Sequence, residues 1–302
     1  MSESIRTRIT VGLALLSVYL IWGSTYLGIR FALESFPPLL MAGFRFLIAG
    51  TLMFTFLRLR GTPMPTRRQW LGAAVIGAFL LGGGNGGVTF AEQWVSSGLA
   101  AVVIASMPLW AALFGGLWKR WPNRLEWVGL MVGFAGVAVL NLEHDFRANP
   151  LGAIVLFGAA ISWAFGSVLS GRLQLPKGPM SSAAQMLVGG VLMLALGALS
   201  GERITALPSA RSAAAFGYLI TFGSLIAFSS YAYLLRTVRP TLATSYAYVN
   251  PLVAVGLGVL LGGEKITAAG LIATLVILGG VGLVAMGRAR PTRPVVQSRP
   301  SE

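Results

Sequence analysis

Ten stretches of about twenty apolar residues, separated by short polar loops, restrict this chain to a lipid bilayer. A helix rises 1.5 Å per residue, so about 20 apolar residues cross the roughly 30 Å of hydrocarbon in a membrane. The stretches run Thr10–Leu33, Pro38–Leu57, Trp70–Ala91, Ser97–Trp118, Leu125–Leu142, Leu151–Gly171, Met180–Ser200, Arg211–Leu235, Leu242–Leu261 and Ala268–Gly287. Pro, Gly and Asn punctuate the loops, as in Ser35-Phe36-Pro37-Pro38, Gly61-Thr62-Pro63 and Pro176-Lys177-Gly178-Pro179. No loop is long enough for a soluble domain, so any chemistry lies within the membrane. Only 11% of the residues are charged, against about 25% in soluble domains. The predicted fold class is all-α: a polytopic membrane protein of ten transmembrane helices. Gly accounts for 39 of 302 residues, which suits close helix approach in lipid.

The basic residues give the orientation, because Lys and Arg are retained on the cytoplasmic side. The two tails and alternate loops carry seventeen of the 23, among them Arg58, Arg60, Arg67, Arg68, Lys119, Arg120, Arg124, Arg172 and Lys177. The opposite side carries four: Arg147, Arg203, Arg211 and Lys265. Both termini are therefore expected to be cytoplasmic. Arg6 and Arg8 precede the first stretch as in a signal peptide, but no small-residue cleavage site follows it, so it counts as a span. The net charge of +14 is scattered between apolar runs rather than gathered in one patch, which argues against a nucleic-acid partner. With no Cys and one His, disulfides, thiol nucleophiles and Cys/His metal clusters are excluded; no metal and no cofactor are expected.

The halves repeat. Trp22-Gly23-Ser24 corresponds to Trp163-Ala164-Phe165-Gly166-Ser167, Arg45–Met53 to Gln185–Met193, Leu99-Ala100 to Leu242-Ala243, Met107-Pro108-Leu109 to Asn250-Pro251-Leu252 and Gly136-Val137 to Gly280-Val281, all at an offset of 140 to 144. Residues 1–149 and 150–302 then hold five helices each. Five is odd, so the second half enters the membrane from the opposite side, and inverted repeats of this kind build secondary transporters.

Trp22-Gly23-Ser24-Thr25-Tyr26, Arg45-Phe46, Tyr248-Val249-Asn250-Pro251-Leu252 and Gly263-Glu264-Lys265-Ile266-Thr267 resemble the drug/metabolite transporter superfamily, and more closely its ten-helix EamA-type exporters, over essentially the whole chain. The first half departs from the pattern, with Met107-Pro108 for Asn-Pro and Arg120 where the Glu would be. The resemblance implies a bacterial inner-membrane exporter of small metabolites, often amino acids or toxic aromatic compounds.

Polar and aromatic residues at helical spacing mark a candidate cavity, because an isolated polar group facing lipid is costly. Tyr19, Trp22 and Tyr26 form one stripe, Asn85, Thr89 and Glu92 another, with Ser106/Trp110, Trp163/Ser167 and Tyr246/Asn250 on three further helices. The candidate substrate-contacting set is Trp22, Tyr26, Arg45, Asn85, Thr89, Trp110, Trp163, Ser167, Tyr246 and Asn250, a lining suited to amphipathic, partly apolar or cationic solutes. Trp70, Trp118, Trp121 and Trp127 fall at span ends and read as interfacial belts.

Arg45, inside a span, either clamps carbonyls or pairs with Glu92, or captures a substrate carboxylate. Arg30 and Glu34, spaced i, i+4, read as a local ion pair. Pro108 and Pro251 interrupt their helices and read as hinges or as shaping elements. The run Gly82–Gly87 formally matches G-x-G-x-x-G, but inside an apolar span it reads as close packing or local unwinding. Glu92 is the one plausible proton relay. Facilitated or exchange transport, an embedded enzyme, and a channel or scaffold are the competing readings. Clustered catalytic groups and phosphate-binding loops are absent from the sequence, and His144 beside Glu143 and Asp145 reads as a solvated loop residue. The expected partners are a small-molecule substrate and the lipid bilayer, with the chain a monomer or weak homo-oligomer.

Overall fold

A computed structural model describes residues 3–118, 121–140, 149–238 and 246–289, and these are helical throughout apart from short connections, with no strand among them. The helical segments are α1 (3–32), α2 (Pro38–Leu59), α3 (67–91), α4 (97–118, interrupted at 105–106), α5 (Arg124–Leu140), α6 (Pro150–Ser170), α7 (Pro179–Leu199), α8 (210–237), α9 (Tyr246–Leu261) and α10 (Ala268–Ala289). Eight of them are long and apolar enough to cross a membrane; α9 contributes a shorter apolar helix, Val249–Leu261, and the described part of α5 spans 17 residues. Leu142, Leu242-Ala243, Lys119, Arg120, Glu143–Asp145, Arg147, Arg239-Pro240 and the tail beyond residue 289 lie outside the described residues.

The helices start where the sequence supplies acceptors for their free N–H groups. Thr66 and Gln69 form a capping box on α3. Asn149 Oδ1 accepts from Gly152 N at 2.8 Å, and Ser209 Oγ from Ser212 N at 3.2 Å. Two starts take a carboxylate from far along the chain. Glu202 accepts from Leu39 N (3.2 Å) and Leu40 N (2.8 Å) at the start of α2, and Glu264 from Ser97 N (2.8 Å) and Gly98 N (3.0 Å) at the start of α4.

Two helix pairs are packed most extensively, α2 with α7 and α5 with α10. Small residues make both approaches possible, since lipid supplies no hydrophobic drive between helices and close packing must. A Cβ on Gly190 would lie 2.7 Å from the Leu47 nitrogen, and one on Gly129 2.7 Å from the Gly280 oxygen. Three segments widen into π-helix: Val18–Trp22 in α1, Ala78–Gly86 in α3 and Leu219–Ile226 in α8. The glycine run is thus locally unwound, and it is also tightly packed: Gly83 abuts Ser162 of α6, and a Cβ on Gly87 would lie 2.9 Å from that of Ala159.

One ion-pair expectation is corrected. Arg30 does not bond Glu34; its Nε lies 3.6 Å from Glu264 Oε1, while Glu34 pairs with Arg211 at 3.2 Å. Spacing places Arg30 and Glu34 on one helix face, but packing offers each a partner from the other half. The Arg211–Glu34 pair is exposed on both sides, and such pairs contribute about 0.2–1 kcal/mol. Glu34→Gln is therefore expected to change the unfolding midpoint by no more than about 2 °C, measured by thermal denaturation in detergent.

Candidate substrate cavity

Where α1, α2, α3, α4, α6, α8 and α9 converge, they line a small cavity of about 50 Å³. Trp22, Tyr26, Arg45, Asn85, Trp163, Tyr246, Asn250 and Pro251 line it, so eight sequence candidates meet at one place. Thr25, Ile29, Val88, Ala101, Ile104, Ala105, Met107 and Phe228 complete the wall.

The wide turns explain how these side chains arrive. A π-turn releases carbonyls from the i→i−4 ladder, and such turns are frequent at functional sites. Trp22, at the end of one, donates from Nε1 to the carbonyl of Gly223 in another at 3.2 Å. Asn85, in the third, donates from Nδ2 to Leu80 O at 3.4 Å. Arg45 Nε donates to Ser224 Oγ at 3.0 Å, and its guanidinium lies 4.7 Å from the centre of the Phe46 ring. A Cβ on Gly223 would lie 2.9 Å from Arg45 Nη2, so a side chain there displaces the guanidinium.

One wall is an aromatic cluster. The Trp22 ring lies 5.2 Å from Phe228, 5.2 Å from Tyr231 and 4.9 Å from Tyr246, edge-on or tilted as ring quadrupoles prefer. The opposite wall is Trp163, seated on the glycine run, with its Cε3 3.1 Å from where a Cβ of Gly84 would stand. Pro251 breaks the α9 ladder, and Asn250, with its amide nitrogen turned toward them, donates to the carbonyls of Tyr19 and Tyr246 at 3.2 Å each.

The other candidates stand apart from the wall. Thr89 Oγ1 donates to Asn85 O within its own helix. Trp110, in the helix that follows the break at 105–106, packs against Phe134 of α5 at 4.7 Å and donates to Ser106 Oγ at 3.3 Å. Ser167 belongs to α6 outside the lining, and Pro108 sits in the first turn after the break while its neighbour Met107 reaches the cavity. Phe228, Tyr231 and Ser224 are not among the sequence candidates; Phe228 and Tyr231 follow the same i, i+3 aromatic spacing as Tyr19 and Trp22.

Glu92 follows the last residue of the α3 span and is 2% exposed. Neither carboxyl oxygen has a hydrogen-bond partner, and no cation stands within ion-pair distance of it among the described residues. Burial holds the Glu92 carboxyl well above the usual carboxylate range; Glu264 adds to the rise, and Arg30 and Arg45 oppose it.

A second cavity of about 350 Å³ lies toward the end of the bundle where α1 finishes and α4 begins, with Arg30, Val102, Val255, Glu264 and Lys265 in its wall. Ile29 lines the central cavity and Arg30 the second, and likewise Ala101 and Val102, so α1 and α4 contribute to both walls.

A bundle of apolar helices around a buried polar and aromatic chamber is the form of a membrane transporter. The EamA-like transporter family model matches residues 9–142 and 150–286, and the chain belongs to that family, within the drug/metabolite transporter superfamily. It is 50% identical over 295 residues to the uncharacterized inner membrane transporter YedA of Escherichia coli (strain K12), covering 96% of each chain. It is 25% identical to the uncharacterized transporter YoaV of Bacillus subtilis (strain 168), over 90% of this chain and 96% of that one. A WAT1-related chloroplastic protein of Arabidopsis thaliana is also 25% identical, with 89% of this chain and 68% of that protein covered. One solved crystal structure shares the fold at a TM-score of 0.64 and 20% identity, over 93% of this chain and 99% of the other.

Proposed function

We propose that the protein is a secondary carrier that exports small metabolites, amino acids or aromatic and cationic drug-like compounds, by alternating access, and that it is not an enzyme. In this reading ten spans form two inverted five-helix repeats, 1–149 and 150–302, with both termini in the cytoplasm and the chain acting as a monomer or weak homo-oligomer. Trp22, Tyr26, Arg45, Asn85, Trp163, Tyr246 and Asn250 touch the solute. Thr89, Trp110 and Ser167 support the lining, Pro108 and Pro251 are hinges, and Glu92 takes part in proton coupling.

The observation that carries the reading is a chamber built from both halves at the point where their packing exchanges. The principal contacts between the halves map onto themselves when each helix is replaced by the one five later: α2–α7, α5–α10 and α4–α9 are self-paired, α3–α6 exchanges with α8–α1, and α4–α6 with α9–α1. The π-helical stretches of α3 and α8 begin 141 residues apart and end 140 apart, inside the offset of the sequence repeat. Both features favour a site at the repeat interface, where inverted-repeat carriers bind. A chamber of about 50 Å³ is well below the roughly 300 Å³ of ordinary ligand pockets, so it must widen to admit solute. α1 and α4, which line both cavities, are then the elements that part toward the second one.

The test is flux into liposomes containing the purified protein, with labelled amino acids and aromatic solutes. The expected result is saturable uptake in which solutes compete with one another. Flux that never saturates would indicate a channel, and no flux with any solute a scaffold.

A further inference from the structure

Arg45 and Glu92 are both buried, 3% and 2% exposed, and neither neutralises the other: no ion pair of 4.0 Å or less joins them. An unpaired charge in low dielectric is expensive, and groups in that position neutralise themselves or take an opposite charge. Glu92 can do the first, with both oxygens unpartnered and a proton to hold. Arg45 stays charged in proteins and can only do the second. It lines the central chamber, whose wall contains no carboxylate among the described residues.

We infer that the chamber takes an organic carboxylate on Arg45 together with a proton on Glu92, which makes the protein an electroneutral proton–carboxylate carrier. This deepens the carrier reading and rests on it. Two assemblies are neutral: protonated Glu92 with a carboxylate on Arg45, and ionised Glu92 paired directly with Arg45. The two mixed states leave a net buried charge, so they resist closing off from water on both sides. Proton and carboxylate therefore cross together, and the empty carrier returns as the Arg45–Glu92 pair. No covalent bond changes; the proton leaves Glu92 for water on the side where the carboxylate departs. The direction of net transport follows the combined gradients, and a weak acid produced by metabolism flows outward. The conformation described here, with the two side chains apart, is the one that awaits the anion.

The charged and titratable groups around Glu92 fit this exchange. α1 presents Tyr26 and Arg30, α2 presents Arg45, and Glu264 lies beyond α9. The segments 97–118 and 150–170 contain no ionisable residue. Arg30 is held at 3.6 Å by Glu264, which accepts two backbone N–H groups as well, so among the described residues Arg45 is the cation left for an ionised Glu92. The aromatic wall favours a carboxylate attached to a ring or other apolar body.

The experiment is equilibrium binding of labelled benzoate to the full chain in detergent, by scintillation proximity, from pH 5 to pH 9, with benzamide and benzylammonium as competitors. In the wild type, benzoate affinity should fall roughly tenfold per pH unit once Glu92 begins to ionise, the slope of one linked proton. Benzoate should be held more tightly than benzamide or benzylammonium. Glu92→Gln should bind benzoate at the wild type's low-pH affinity across the range, and Arg45→Gln should lose the preference for benzoate over benzamide. Arg45→Lys, which keeps the charge, should retain that preference. A flat pH profile in the wild type, an unchanged slope in Glu92→Gln, tighter binding of benzylammonium, or no binding of any of the three overturns the inference. Saturable flux of other solutes in liposomes would leave the carrier reading standing even then.

Discussion

Glu264→Ala is expected to lower stability by about 3 kcal/mol, one of the two largest effects among the substitutions considered. Glu264 is 6% exposed at its side chain, and its two oxygens accept from Ser97 N and Gly98 N while Oε1 faces Arg30. Hydrogen bonds to a charged group contribute about 1.5–3 kcal/mol each, and a buried N–H left without an acceptor costs about 1–3 kcal/mol. The sum is discounted because Arg30 is 41% exposed and water can solvate it once the carboxylate is gone. The expected fall in the unfolding midpoint is roughly 5–10 °C, measured in detergent. Glu264→Gln keeps one oxygen acceptor and should lose about half as much. Glu202→Ala, which uncaps Leu39 and Leu40 at the start of α2, should resemble Glu264→Ala. An unfolding midpoint within 2 °C of wild type for Glu264→Ala would mean that water replaces the carboxylate without penalty, and that the contact does not fasten the two halves.

The contrast between these residues and Arg30–Glu34 shows what a sequence of this kind reveals. Hydropathy and breakers locate helices because lipid imposes one rule on every residue along a span, and that rule is local. The start of α3 at Thr66 and of α6 at Asn149 is legible for the same reason, since a cap and its N–H lie three residues apart. The cap on α4 is not, because Glu264 arrives from 167 residues away. Side-chain direction is partly legible. Trp22 and Tyr26, and Tyr246 and Asn250, reach one chamber because i, i+4 spacing puts each pair on one face, whereas Asn85 arrives on a π-helical turn. Trp110 does not, because the break at 105–106 resets the helix phase by an amount that no periodicity encodes. The π-helical turns are the least legible part. One coincides with a glycine run, but Leu219–Ile226 carries a single glycine, and its bonds to Trp22 and Arg45 come from residues about 180–200 positions away.

Trp22 and Trp163 face the same chamber, yet their replacement should separate folding from transport. Trp22 is buried, touches three aromatic rings and donates its indole N–H to Gly223 O. Truncating a buried Trp costs about 3–5 kcal/mol, and here the Gly223 carbonyl also loses a partner. Trp22→Ala should therefore lower the unfolding midpoint by roughly 10 °C and abolish flux, with Trp22→Phe recovering most of the stability but not the bond to Gly223. Trp163 is half-buried and lines the chamber from the glycine-run side. Its removal enlarges a space that must open in any case, so Trp163→Ala should shift the midpoint by no more than about 4 °C. In the proposed carrier its ring contacts the solute, and losing about 1.4 kcal/mol of that contact would raise the half-saturation concentration roughly tenfold. The measurement pairs thermal unfolding with initial uptake rates on the same preparations. If both variants lost stability and flux in the same proportion, the aromatic residues would be packing elements alone, and the solute's path would have to lie elsewhere in the bundle.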